Sequence, residues 1–142
     1  MKRIFSVILT AILFVSCCGV TTLAANGIEP YASPTLSYYD VDLYAGDSQG
    51  MLWIDFDVRA SAVADYVGVE KIKIYRSNGT HVATISGSEA NGLILTDIYR
   101  HNDTYEYKVA SGLSYYAEVT IFATIGSTSD SRTITTSTVE AP

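Results

Sequence analysis

The stretch that decides the fold is Met51-Leu52-Trp53-Ile54-Asp55-Phe56-Asp57-Val58-Arg59. Successive side chains of a β-strand point to opposite faces of the sheet, so residues two apart share a face. One face of this stretch is therefore apolar and carries Leu52, Ile54, Phe56 and Val58. The other face carries Trp53, Asp55, Asp57 and Arg59. The pattern predicts a strand with one side on a hydrophobic core and the other in solvent.

Most of the chain after residue 35 also consists of strand-like segments. Short segments rich in Val, Ile, Thr and Tyr are separated by Gly, Asn, Asp and Ser, which is typical of strands joined by tight turns. Asn78-Gly79 predicts a hairpin turn, and only residues 62–66 suggest a turn of helix. The predicted strands cover residues 36–44, 51–59, 69–75, 81–85, 93–99, 104–109, 114–124 and 132–139. Seven to eight short strands at this spacing predict an all-β, antiparallel, immunoglobulin-like β-sandwich.

Two resemblances follow from particular motifs. Tyr115-Tyr116-Ala117-Glu118-Val119-Thr120-Ile121-Phe122-Ala123, with the Gly/Ser-rich residues 126–131 after it, resembles the last two strands of fibronectin type III domains. Residues 52–58 and 72–75 resemble their second and third strands, with Phe56 in the core position of the family's tryptophan. Residues 67–75 and 129–133 also resemble small secreted single-domain proteins of Gram-positive gut bacteria. That group has no established activity, so it implies only fold and location.

The first 25 residues predict a secretory signal peptide. Lys2 and Arg3 precede an apolar run at residues 4–15, and the small residues Ala24-Ala25 offer a cleavage site. The predicted organisation is therefore a signal peptide at 1–25, a flexible leader at 26–34 and a β-sandwich domain at 35–142, secreted and without a membrane span after cleavage. The alternative is a lipoprotein anchored through Cys17, because the residues before it loosely resemble a lipobox.

Composition excludes several functions of the mature chain. Both cysteines, Cys17 and Cys18, fall inside the signal, so neither a disulfide nor a thiolate site is available. Without Lys2 and Arg3, seven basic residues face fifteen acidic ones, which gives a net charge of −8. Nucleic acid and anionic membrane surfaces are disfavoured, because no basic patch exists to bind phosphate.

The candidate site is an acidic sheet face formed by the first two strands. If these strands pair across residues 45–50, we expect Asp40 opposite Asp55, with Asp42 and Asp57 nearby. An oxygen-preferring cation such as Ca²⁺ would relieve the repulsion among Asp40, Asp42, Asp55 and Asp57, and no other cofactor is predicted. The alternative is a solvated face whose charge is offset by Arg59, Lys71 or Lys73.

Aromatic residues share this face. Tyr38, Tyr44 and Trp53 could form an outward strip, and aromatic rings beside carboxylates are how many modules bind sugars. The alternative is an aromatic cluster covered by the leader or a loop.

Catalysis has little support in the sequence. The two histidines are His81, after a hairpin, and His101, in a predicted loop at residues 100–103. Residues 46–50 read Gly-Asp-Ser-Gln-Gly, but they form a turn-rich link between two predicted strands, whereas a nucleophile elbow needs a strand-to-helix turn. A hydrolase using Asp55 or His101 is the least favoured hypothesis.

The sequence thus predicts a secreted, non-catalytic binding module for a glycan, a cell-wall polymer or a protein. A small antimicrobial or toxin-like effector is the alternative. Self-association or partner binding by strand addition is a further hypothesis, since the Thr-rich residues 133–138 lack lysine and proline.

Overall fold

The computed structural model describes residues 33–142. The predicted signal peptide, the possible lipid anchor at Cys17 and most of the predicted leader lie outside these residues. Within the described part, every regular element is a strand and no helix is long and apolar enough to cross a membrane. The nine strands are β1 Leu36–Ala45, β2 Met51–Ala64, β3 Tyr66–Arg76, β4 His81–Ser86, β5 Ile94–Leu95, β6 Ile98–Lys108, β7 Ser114–Ile125, β8 Thr128–Thr135 and β9 Val139–Glu140.

Two antiparallel sheets build the fold, which confirms the predicted all-β sandwich. The three-stranded sheet has the order β1-β2-β6. The six-stranded sheet has the order β4-β3-β7-β8, with β5 added to β3 and β9 added to β7. Each sheet buries one face against the other, and the alternating apolar side chains of β2, β3 and β7 fill the space between them.

The decisive stretch at residues 51–59 is placed as its alternation predicts. Leu52, Ile54, Phe56 and Val58 are all buried. Phe56 occupies the core, while Trp53 lies on the outer face of β2 and is half-buried there. Burial of these large apolar side chains supplies most of the stability of the three-stranded sheet.

Three positions, at a turn, within a strand and at a corner, show why particular residues are required. At the predicted hairpin between β3 and β4, Gly79 has a φ of +84° and its N–H donates to the carbonyl of Arg76 at 2.8 Å. Gly68 in β3 has a φ of +145°, and a Cβ there would collide with the carbonyl of Leu93. The buried hydroxyl of Tyr115, at the start of β7, donates to the carbonyl of Ala110 at 3.0 Å and so fixes the corner before that strand.

Three local predictions were wrong. The expected helical turn at residues 62–66 is extended backbone, because the irregular end of β2 continues directly into β3. The expected strand at 93–99 is only the short β5 followed by the start of β6. Residues 100–103 are not a loop but the middle of β6, since pairing with β2 outweighs their polar, turn-like composition.

Candidate functional site

The outer face of the three-stranded sheet carries all seven residues that the sequence predicts for ligand or calcium binding. We call this surface the acidic face. It comprises Tyr38, Asp40, Asp42 and Tyr44 of β1, Trp53, Asp55, Asp57 and Arg59 of β2, and Arg100, Asn102, Thr104 and Glu106 of β6. Because all three strands are regular here, the side chains stand in cross-strand rows.

The predicted register between the aspartates was wrong by two residues. Asp40 lies opposite Asp57, and Asp42 lies opposite Asp55. The strands continue to the turn, which is closed by the Gly46 N–H donating to the Met51 carbonyl at 2.9 Å, and this closure sets the pairing. A shift of two residues keeps every side chain on the same face, so the four carboxylates still share the outer face of the sheet.

Asp57 is held by two arginines. Arg100 donates from Nε to Oδ1 at 2.8 Å and from a terminal nitrogen to Oδ2 at 3.0 Å, while Arg59 donates to Oδ2 at 2.8 Å. The hydrogen bonds from Arg100 and then Arg59 lower the pKa of Asp57 to about 2. Asp57 is therefore a charge-balanced, structural carboxylate. Lys71 and Lys73, the other predicted partners, lie on β3 in the opposite sheet.

The other three aspartates have no ion pair with any residue of 33–142. Asp55 accepts a hydrogen bond from the Thr104 hydroxyl at 2.6 Å, and Asp42 accepts one from the Tyr44 hydroxyl at 3.2 Å. The negative charge of Asp42 raises the pKa of Tyr44. Asp40 lies beside Asp42 on β1, opposite Asp57, and has no hydrogen-bonded side-chain partner among the described residues. Uncompensated negative charge is thus concentrated at the centre of the face.

These carboxylates line a groove of about 390 Å³. Its walls include Asp40, Asp42, Tyr44, Asp55, Asn102 and Thr104. No three acidic, histidine or cysteine side chains of the described part of the chain converge in an arrangement that could hold a metal ion. Calcium binding at Asp40, Asp42, Asp55 and Asp57 stays a prediction, which a chelator tests.

The three aromatic residues do not form one strip. Tyr44 lies opposite Trp53 at one end of the groove, with Glu106 beyond Trp53. Tyr38 lies about 20 Å away along β1, where the Arg59 guanidinium covers its ring at 4.6 Å. Tyr44 is 47 % exposed. Tyr44 and Trp53 are therefore the aromatic pair beside the groove, and we call this pair the aromatic platform.

The histidines are separated from the acidic face. His101 points to the core side of β6, is 3 % exposed and packs edge-on against Phe56 at 4.8 Å between ring centroids. Its Nδ1 has no hydrogen-bond partner among the described residues, and burial lowers its pKa. His81 is exposed on β4, where its Nε2 lies 2.8 Å from the Thr84 hydroxyl. Asp55 and His101 occupy opposite faces of one sheet and cannot act on one substrate atom.

Sequence reasoning missed the contribution of β6. The polar alternation of Arg100, Asn102, Thr104 and Glu106 is the signal for this strand, whereas the polar composition of residues 100–103 predicts a loop. Comparison with known proteins adds no assignment: no family model, no curated protein and no solved structure matches the chain.

Proposed function

We propose that the protein is a secreted, non-catalytic binding module whose acidic face binds a polyhydroxylated ligand, a glycan or a cell-wall polymer. The observation that carries this proposal is the groove, in which Asp40, Asp42 and Asp55 lie without a cationic partner beside the Tyr44–Trp53 platform. Secretion is supported by the signal-like first 25 residues.

The chemistry of the groove suits sugar rings. Carboxylates accept hydrogen bonds from hydroxyl groups, and such charge-assisted bonds are the strong ones. Asn102 and Thr104 add neutral polar groups along the same wall. The ring faces of Tyr44 and Trp53 offer apolar area for the C–H side of a sugar. All these side chains stand on strands, so the site is preorganised rather than formed by loops.

A binding role is favoured over a hydrolytic one by the placement of titratable groups. His101 faces the core, and His81 lies on the other sheet. Among the described residues no histidine reaches the acidic face, and Asp57 is held in two ion pairs by Arg59 and Arg100.

The fold type belongs to the same proposal: a fibronectin type III-like member of the immunoglobulin-like sandwiches. In constant-type immunoglobulin domains, strands A, B, E and D face C, F and G. The order β1-β2-β6 corresponds to A-B-E, and β3-β7-β8 corresponds to C-F-G, with β4 beside β3 in place of a fourth strand in the first sheet. The Tyr115 hydroxyl bound to Ala110 corresponds to the tyrosine corner of such domains.

A direct test is binding of the purified protein to Gram-positive cell walls and to a glycan array, with calcium and with chelator. We expect saturable binding that is lost in Trp53→Ala and in Asp55→Asn. Matched controls are Tyr66→Ala, an exposed aromatic on the other sheet, and Glu89→Gln, an exposed loop carboxylate. Chelator sensitivity would add a calcium ion to the site. Absence of binding in every condition, or equal binding by Trp53→Ala and Tyr66→Ala, would refute the proposal.

A further inference from the structure

The free edge of β1 presents unpaired backbone groups. Among residues 33–142, β1 pairs only with β2. In an antiparallel pair, residues alternate between bonding the neighbouring strand and pointing away from it. Because Gly46 donates to Met51, the alternation directs the N–H and C=O of Tyr39, Val41 and Leu43 away from β2. The Phe56 carbonyl accepts from Asn102 on β6, as the same alternation requires.

The two other long edges carry protection that β1 lacks. On β8, Asp130 and Arg132 point to the core side, and Asp130 accepts hydrogen bonds from Ser33 at 2.6 Å and from the Thr35 N–H at 3.4 Å. On β6, Asp103 lies on the core side opposite Phe56. Inward charges and covering segments are established devices against edge pairing.

The fourth edge, β4, is protected by its length, since it spans only six residues. By contrast, β1 has ten residues and contains neither lysine, arginine nor proline. This comparison moves the predicted pairing edge from the Thr-rich end of the chain to β1.

The side chains of β1 define what could pair with it. On the core side, Tyr39 is 43 % exposed, because no described strand lies beyond it in the sheet. Val41 and Leu43 continue this apolar row. On the outer side, Asp40 and Asp42 have no ion pair with any described residue. An added strand would place its own alternate side chains beside each of these two rows.

We propose that the free edge of β1 accepts, by strand addition, an extended segment of a partner protein that alternates basic and apolar residues. The main chain of the segment pairs with Tyr39, Val41 and Leu43. Its basic side chains lie beside Asp40 and Asp42, and its apolar side chains cover Tyr39. Main-chain bonds supply affinity in this mode of recognition, and the alternate side chains supply selectivity.

The same carboxylates disfavour pairing of this edge with a second copy of the chain centred on Val41. Two β1 strands pairing antiparallel about Val41 would place Asp40 of each copy directly opposite Asp42 of the other. Like charges in that position are destabilising. The edge is therefore selective for a basic strand. This edge shares Asp40 and Asp42 with the ligand groove, whereas Tyr39 and the outward backbone groups of β1 belong to the edge alone and Trp53 to the ligand site alone. Tyr39→Pro and Trp53→Ala therefore tell a failure of one proposal from a failure of the other.

The test uses protein produced from the full sequence, so that any processing of the first 25 residues is retained. The probe is a short, end-blocked peptide that alternates lysine with valine, and fluorescence anisotropy measures its binding. One control peptide has glutamate in place of lysine, and another has the same composition in two blocks. We expect binding of the alternating peptide only, with new hydrogen-exchange protection of the Tyr39, Val41 and Leu43 amides.

Variants separate the two parts of the contact. Tyr39→Pro removes one free N–H at an edge position that tolerates proline, and we expect about tenfold weaker binding. Tyr39→Val keeps the N–H and is the matched control. Asp40→Asn with Asp42→Asn should weaken binding about tenfold at low salt and less at high salt.

Four results would overturn the proposal: no binding of the alternating peptide, equal binding of the block peptide, unchanged affinity in both the Tyr39→Pro and the Asp40→Asn/Asp42→Asn proteins, or amides of β1 already protected in the free protein. The last would mean that another segment of this chain occupies the edge. Because the exchange pattern is read on the unaltered protein, the test holds even if Tyr39→Pro does not fold.

Discussion

On the outer face of the six-stranded sheet polar side chains pair across strands, whereas on the three-stranded sheet like charges lie directly opposite each other. The Tyr75 hydroxyl donates to Glu118 at 3.3 Å, and the hydroxyls of Thr120 and Thr133 lie 2.9 Å apart. Tyr75 also stacks on Tyr116 with ring centroids 5.2 Å apart. Such pairs are the ordinary means by which a sheet stabilises its solvent face.

The three-stranded sheet departs from this rule on both sides. Outward, Asp42 faces Asp55 across the strands, and neither has a cationic partner among the described residues. Inward, the buried Nδ1 of His101 has no hydrogen-bond partner there. Each feature costs stability, and natural proteins concentrate such costs at sites of function. The difference between the sheets therefore supports the proposal that the binding surface lies on the three-stranded sheet.

The largest expected effect comes from the inward side of that sheet. Phe56 packs against His101 and Gly68 lies beside it, and neither residue is charged. Asp103 on β6 is the charged group that acts on His101. Burial lowers the pKa of His101 below 6.5. Below pH 6.5 the imidazole therefore binds a proton more readily in the unfolded chain than in the folded protein. Stability should be full above pH 6.5 and fall as the pH drops towards the folded-state pKa, by at most about 1.4 kcal/mol per pH unit.

Urea unfolding between pH 7.5 and pH 5 measures this loss. His101→Leu should flatten the pH dependence, whatever its effect on stability at pH 7.5. His81→Leu, which alters the exposed histidine, should leave the dependence unchanged. If His101→Leu and the unaltered protein show the same slope, the buried imidazole is not the cause.

The next effect concerns the one balanced carboxylate of the acidic face. Asp57→Ala leaves Arg59 and Arg100 directly opposite one another without an anion between them. We expect a loss of about 1–2 kcal/mol in the free energy of unfolding at neutral pH. The contribution of Asp57 should be present above about pH 4 and disappear as the pH falls to about 2, because its folded-state pKa lies that low.

Chemical denaturation at pH 7 and at pH 3 measures both parts of this expectation. Asp47→Ala, in the loop after β1, is the matched control and should change stability by less than about 0.5 kcal/mol. A cost of Asp57→Ala no greater than that control would mean that the two arginines do not depend on Asp57.

A smaller effect on stability is expected when an aromatic residue is removed from the outer face of either sheet, and its size should differ between the two sheets. Tyr116→Ala removes a stacked partner of Tyr75 and should cost about 1 kcal/mol. Tyr44→Ala, on the acidic face, should cost less than about 0.5 kcal/mol, because the side chain is 47 % exposed. Thermal unfolding of the two variants side by side tests the difference. Equal losses would show that the Tyr44–Trp53 pair is structural rather than available to a ligand.

The alternation of apolar and polar residues predicts which face of the sheet each side chain occupies. It does not predict which strands are neighbours or in which register they pair. Residues 51–59 give the core side and the acidic side of β2 because side-chain direction is a local property with a period of two. The register of Asp40 depends on how the turn at Gly46 closes, which no pattern within a strand encodes. Arg100 was missed because its strand has a loop-like composition and is held in place by β2. The burial of His101 follows from the same distant pairing.

The smallest expected effects are changes of opposite sign in the free energy of unfolding of two variants, Asp55→Asn and Glu118→Gln. Asp55→Asn removes one of two opposed charges and keeps an oxygen that can accept from Thr104, so we expect a gain of about 0.5 kcal/mol at low ionic strength. Glu118→Gln keeps an acceptor for Tyr75 but removes the charge opposite Lys73, so we expect a loss of a few tenths of a kcal/mol.

Both changes remove one negative charge, so a general effect of net charge would move the two proteins in the same direction. Denaturation at low and at high salt separates the cases, since both effects should shrink as salt screens the charges. A gain in Asp55→Asn that accompanies lost ligand binding would mean that the carboxylate is kept at the expense of stability. If Asp55→Asn instead lowers the free energy of unfolding at every salt concentration, Asp55 stabilises the sheet. That result would contradict the proposal that the groove is a binding site.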